Sequence, residues 1–187
     1  MFFDRKPAQG PQEDLANLKI TDARLGDTLS VNGAAEDFSD VDFTVDRNDQ
    51  YEAGSSRWSE LSGPWRDRRV ALEVHNNNNV EVHGNFDGRT ITLDELGVSE
   101  DDLGEMDQRQ NPADFFDWDG KFWLYRSSRE EGVFSAGNAT GRGFYCWTFQ
   151  EQDGKRFLSI RKFEGEPFAA TLWNKIEPTD ITVLRGS

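Results

Sequence analysis

The stretch EVHNNNNVEVHG, Glu73–Gly84, holds both histidines of a 187-residue chain. Two imidazoles and two carboxylates, on Glu73, His75, Glu81 and His83, are the donor types of a His/carboxylate metal site or of an acid–base pair. Their spacing is that of a hairpin. With Asn76 opposite Val80, Val74 faces Val82, Glu73 faces His83 and His75 faces Glu81. Side chains alternate between the two faces of a strand, so every apolar group then falls on one face and every ionisable group on the other. A register shifted by one would mix the faces. This predicts Val70, Leu72, Val74, Val80 and Val82 toward the core, with Glu73, His75, Glu81 and His83 toward solvent. The rival reading is a metal-dependent hydrolase using His75, His83, Glu73 and Glu81. A hairpin tip rarely supplies the supporting shell and cavity of such a site, so the solvent face is preferred and no metal or cofactor is expected.

Other chemistry is sparse. Cys146 is the one cysteine, which excludes a disulfide and a thiolate zinc site. Its neighbours Phe144, Tyr145 and Trp147 read as a buried strand, where a thiol behaves as a small hydrophobe. Ser127-Ser128-Arg129-Glu130-Glu131 carries hydroxyls and carboxylates, but a Ser-His-Asp set would require one of the two histidines to face inward. No GxSxG, P-loop or dinucleotide fingerprint is present. Trp65, Arg66, Arg68 and Arg69 form the densest basic patch of an acidic half. They are candidates for binding, because Trp and Arg dominate interface energetics; the plainer reading pairs these arginines with local carboxylates.

The elements that must position these groups are short β-branched and aromatic runs between turn residues, at Thr28–Val31, Val41–Arg47, Arg57–Ser62, Arg69–His75, Val80–His83, Phe115–Trp118, Lys121–Arg126, Gly143–Glu151, Lys155–Lys162, Phe168–Trp173 and Ile181–Leu184. That spacing indicates an all-β barrel or sandwich of antiparallel strands with short helical connectors. Asp119-Gly120 and Asp153-Gly154 both read as type I′ hairpin turns. Residues 1–12 read as a flexible tail and 13–187 as one β-rich domain. An echo between 25–91 and 114–184 raises the possibility of two related halves, since Trp58 and Trp147, and Arg69 and Arg156, recur in similar settings. The connector, 92–113, contains LDELGVSEDDLGEMD with seven acidic residues and no basic one. Thr92 and Ser99 are the expected helix caps there, and the acidic spacing is not that of a Ca²⁺ loop.

The net charge is −14, and residues 1–120 carry 27 acidic against 11 basic side chains, while residues 121–187 carry 8 against 10. A phosphate backbone needs a basic surface, so nucleic acid is a poor partner. A basic protein docking on Glu100, Asp101, Asp102 and Glu105 is the better interaction reading, and solubility alone is the plainer one. Six Trp and fourteen Phe supply core material. No apolar run reaches the ~18 residues of a membrane span, and MFFDRKPAQG has no leader-like apolar stretch; a cytoplasmic location is expected.

The order of features resembles a bacterial domain-of-unknown-function family, number four-one-seven-eight. It rests on Gly26-Asp27, Phe43–Val45, Trp58-Ser59-Glu60 and Val70–Val74, followed by WDGKFWLYR and FYCWTFQE, and covers residues 15–175. The resemblance implies a setting among membrane-stress and polyamine-related genes, and the family has no assigned activity to carry over. The leading expectation is a non-catalytic interaction or accessory domain. The alternative is a β-barrel binding a small cationic or polyamine-like ligand, through cation–π contacts with its tryptophans.

Overall fold

The structure, a computed structural model, describes residues 15, 17–135 and 138–186; the expected tail at 1–12 lies outside them. Twelve strands form two sheets among these residues. The first meander is β3 (Arg47–Ala53), β4 (Ser56–Trp65), β5 (Arg68–Asn76) and β6 (Val80–Asn85). The second is β8 (Lys121–Phe134), β9 (Arg142–Glu151), β10 (Arg156–Phe163) and β11 (Ala169–Ile176). Within each, neighbouring strands pair antiparallel over six to ten residue pairs. Two seams join the meanders, β6 to β11 and β3 to β8, each over three pairs. The result is a closed eight-stranded antiparallel barrel, with β7 (Phe115–Trp118) added outside on β8.

The expected all-β barrel is therefore present, but one of its strands and half of another do not read as strands. RNDQYEA is β3, and the second half of β8 is SSREEGVF. Between Tyr125 and Ser127 the β8 ladder shifts register. One extra residue in a strand exchanges its faces. Trp123 and Tyr125 pack outside the barrel wall, whereas Ser127, Arg129 and Glu131 line the lumen.

The apolar faces of the strands point out of the barrel, into two covers. A small sheet of β1 (Thr28–Val31), β2 (Val41–Thr44) and β12 (Ile181–Leu184) lies over the outer face of β4–β6. Leu29, Phe43 and Val183 meet Leu61, Val70, Leu72 and Val82 there. Gly63 permits the close approach of β2, because a Cβ at this position would lie 2.0 Å from the Thr44 carbonyl oxygen. At one edge of this cover Arg185 pairs with buried Asp27 at 2.5 Å. The second cover is α1 (Leu93–Leu96) and α2 (Glu100–Arg109), which bury Leu96, Leu103 and Met106 against Phe149, Leu158 and Ile160.

Both expected caps form. Thr92 with Glu95, and Ser99 with Asp102, make reciprocal capping boxes. Asp107 fastens the far end of α2, accepting from Tyr145 Oη at 2.7 Å and from Ser128 Oγ. Ser99→Ala removes the acceptor of the Asp102 amide at 3.1 Å. It should lower stability by about 1 kcal/mol, read as a fall in the urea midpoint at unchanged slope; a midpoint that does not move would refute the role of this cap.

Two local expectations need correction. The β5–β6 hairpin has the expected register pair for pair, from Glu73↔His83 to Asn76↔Val80, and Val70, Leu72, Val74 and Val82 are buried as expected. Its other face, however, is the barrel interior: Glu73, His75 and His83 turn inward, and only Glu81 is exposed. Alternation identifies the apolar face but cannot say that the polar one is also enclosed. At Asp119-Gly120 both residues have positive φ, as a type I′ turn requires, but at Asp153-Gly154 only Asp153 does. Gly154 instead packs against Glu151, whose Oε2 lies 2.1 Å from where its Cβ would be. The echoed residues fall on corresponding strands of the two meanders; Trp58 lies in the lumen, and Trp147 packs outward and donates to the Leu103 carbonyl at 3.1 Å. Both meanders build one barrel.

Candidate functional site in the barrel lumen

Charge inside a barrel must be paired, and Arg161 of β10 is where the pairing centres. Its guanidinium donates to Glu73 Oε1 at 2.7 Å and lies 3.5 Å from Glu60 Oε2. It also reaches Tyr51 Oη at 3.3 Å, and lies over the rings of Tyr51, Phe144 and Trp173 at 4.9, 5.6 and 5.9 Å. Burial opposes the charge on Arg161, but the surrounding phenol and carboxylates more than offset it and raise its pKa. For Glu73, burial is likewise outweighed, by the imidazoles of His75 and His83 and by Arg161, so its carboxyl is held well below the usual range. For Glu60 burial prevails and its pKa is raised; the same holds for Glu131. Within the lumen Glu73 is therefore held ionised, while burial works against the charge on Glu60 and Glu131.

Glu73 occupies its two oxygens differently. Oε1 is taken by Arg161, while Oε2 sits 3.6 Å from His75 Nε2 and 3.8 Å from His83 Nδ1. The imidazoles belong to a run of rings: Trp58 stacks on His75 at 5.2 Å and 19°, His75 is 5.3 Å from His83, and His83 is 4.8 Å from Phe157. A cavity of about 170 Å³ lies among these groups, bounded also by Ser127, Arg129 and Thr148. Beyond Arg161 and Trp173 a second cavity of about 240 Å³ opens between Arg47, Arg69, Arg89 and Asn85. Its arginines are engaged, Arg47 by Asp49 at 2.7 Å, Arg69 by Asp46 at 2.6 Å and Arg89 by Glu95.

Three residues that line the smaller cavity carry a buried polar atom without a hydrogen-bond partner, Trp58 Nε1, His75 Nε2 and Arg161 Nε. The neighbouring candidates for nucleophilic chemistry are quiet: no hydrogen bond joins Ser127 to either imidazole, and burial pushes the Cys146 thiol up to about 12.

The basic patch is divided. Trp65, Arg66 and Arg68 line a cleft of about 400 Å³ with Phe86, Arg156 and Asn174, whereas Arg69 turns toward the second lumen cavity. Arg66 covers the Trp65 ring at 4.2 Å and bonds Asp37 at 3.1 Å; Arg68 pairs with Asp67 at 3.2 Å. Each arginine thus has a local carboxylate, as the plainer reading has it. Of the acidic candidates, Glu100 and Asp101 are exposed, Asp102 serves the cap, and Glu105 pairs with Arg109 at 2.9 Å. Arg161, Tyr51, Phe157 and Trp173 are not site candidates in the sequence reading, and Glu60 enters it only through the motif of the resemblance. The signal for Arg161 is present in FLSIRKF, where Phe157, Ser159 and Arg161 alternate with the buried Leu158 and Ile160.

Comparison with known proteins finds no matching family model, no similar curated protein and no similar solved structure. Among the described residues no helix is long and apolar enough to cross a membrane.

Proposed function

We propose that the protein is a small-ligand-binding β-barrel, acting without turnover, that holds its ligand in the lumen beside Trp58, His75 and His83. The observation that carries this reading is Trp58 Nε1, a buried donor without a hydrogen-bond partner on a residue that lines the cavity beside His75 and His83. A buried polar group without a partner costs about 1–3 kcal/mol, and a ligand with a hydrogen-bond acceptor removes that cost for the indole. A volume near 170 Å³ falls below the roughly 300–1,000 Å³ of pockets that enclose drug-sized ligands, so the ligand is smaller than a typical drug. The polyamine version is less favoured, because the protein's own cations already occupy the ring faces. Arg161 covers Tyr51, Phe144 and Trp173, and Arg129 lies 6.0 Å from the Trp58 ring. The family resemblance brings no activity, so the reading rests on the lumen alone.

The indole N–H resonance of Trp58 reports on the site. Screening small neutral and anionic polar fragments by NMR should shift this signal, and Thr148→Phe, which fills the cavity, should abolish the shifts. Fragments that leave Trp58 untouched, or binding that survives Thr148→Phe in a folded variant, would sink the proposal.

A further inference from the structure

We infer that Glu73 Oε2, His75 Nε2 and His83 Nδ1 form a binding site for one divalent transition-metal ion, with Zn²⁺ the best fit. The inference rests on the lumen being a binding site and names an occupant for it. Strand geometry brings the three donors together: Glu73 is directly opposite His83 in the β5–β6 ladder, and His75 follows on the same face. Two imidazole nitrogens and one carboxylate oxygen are a donor set for Zn²⁺ and its neighbours, whereas Ca²⁺ and Mg²⁺ prefer a shell of oxygens.

The distances suit the ion. Bonds of about 2.0–2.1 Å in a tetrahedron put donors roughly 3.3 Å apart. Here the carboxylate oxygen is 3.6 and 3.8 Å from the two nitrogens, and all three donors lie within 4.8 Å of one another. Closure on an ion takes a few tenths of an ångström on the carboxylate side and a modest turn of the imidazoles. The surroundings are arranged for single-oxygen ligation. Arg161 holds Glu73 Oε1 at 2.7 Å, which fixes the carboxylate plane and leaves Oε2 on the imidazole side. Such support of a ligand by an outer hydrogen bond is what orients donors in established sites. His75 Nε2 has no hydrogen bond to lose. A fourth coordination position would be left to water or to a small ligand in the adjoining cavity. Glu81, the fourth residue of the original quartet, is exposed and has no part in the site.

The test uses tag-free full-length protein, stripped with chelator and dialysed. Titration with Co²⁺ should saturate at one equivalent and give the intense visible bands of a four- or five-coordinate ion, which Zn²⁺ should then remove. His83→Ala and Glu73→Gln should each weaken Co²⁺ binding at least tenfold, in line with the loss of a ligand. Should a variant fail to fold by circular dichroism, Zn²⁺ added to the wild type should still shift the ring resonances of His75 and His83 and leave distant signals in place. A pale six-coordinate aqua-ion spectrum would overturn the inference, as would undiminished binding in folded His83→Ala or unshifted histidine rings. Fragment binding at Trp58 is measured on the same stripped protein. Fragments that bind where Co²⁺ does not remove the metal site alone. If neither binds, the lumen reading falls with it.

Discussion

Replacing Arg161 with Met will destabilise the barrel by about 3–5 kcal/mol, the range for removing one partner of a buried ion pair. The side chain is 14% exposed and its partner Glu73 only 10%, so water replaces the lost guanidinium poorly. Methionine fills most of the volume but leaves Glu73 facing two imidazoles and Glu60 without a cation. The cost should fall substantially in the double variant Arg161→Met/Glu73→Gln, since removing both charges avoids the stranded carboxylate. A double-mutant cycle from urea unfolding measures this, with a coupling energy well beyond the ~0.5 kcal/mol of independent sites. An Arg161→Met variant within 1 kcal/mol of wild type, or additivity of the two changes, would show that the cluster does not hold the lumen together.

Leu72→Ala will cost about 2–5 kcal/mol, the span for a fully buried leucine. Leu72 is 0% exposed and packs among Leu29, Phe43 and Val183, outside the barrel wall. The loss should therefore be one of stability without loss of lumen function: in the folded variant, Co²⁺ and fragment binding should match wild type. His83→Ala should behave in the opposite way, with a smaller effect on stability and a large one on binding. Thermal and urea unfolding, run beside the Co²⁺ titration, separate the two. If Leu72→Ala changes the affinity of folded protein as much as His83→Ala does, the wall does not insulate the outer core from the lumen.

The sequence made the fold class readable because eleven of the twelve strands carry, over at least part of their length, an apolar, β-branched or aromatic face that a core must cover. It hid the closure of the barrel for the same physical reason. β3 and the far half of β8 display Asp49, Tyr51, Arg129 and Glu131 to the lumen, and strands that bury charge do not look like strands. The hairpin register was legible down to single pairs, since a slip would have mixed its faces. The enclosure of its polar face was not, because that depends on β9 and β10, about 70–90 positions away, curling round to meet it. The alternation of FLSIRKF places Arg161 opposite the apolar face but does not give its partners, because Glu60 and Glu73 belong to the other meander.

The two short seams have a consequence for how the chain assembles. Hairpins within each meander close short loops, whereas Tyr51↔Val133 and His83↔Lys175 join residues more than eighty positions apart. Long-range pairing must meet its loop-closure entropy before any contact is gained, so the meanders form early and the seams late. Arg161 from one meander meets Glu60 and Glu73 from the other at that same late stage. The charged interior is thus the last part of the molecule to be sealed from water, and it rewards only the correct mating of the two halves. A half-closed chain carries these charges still hydrated, which keeps the open seams soluble and unattractive to the edges of other chains while the barrel completes.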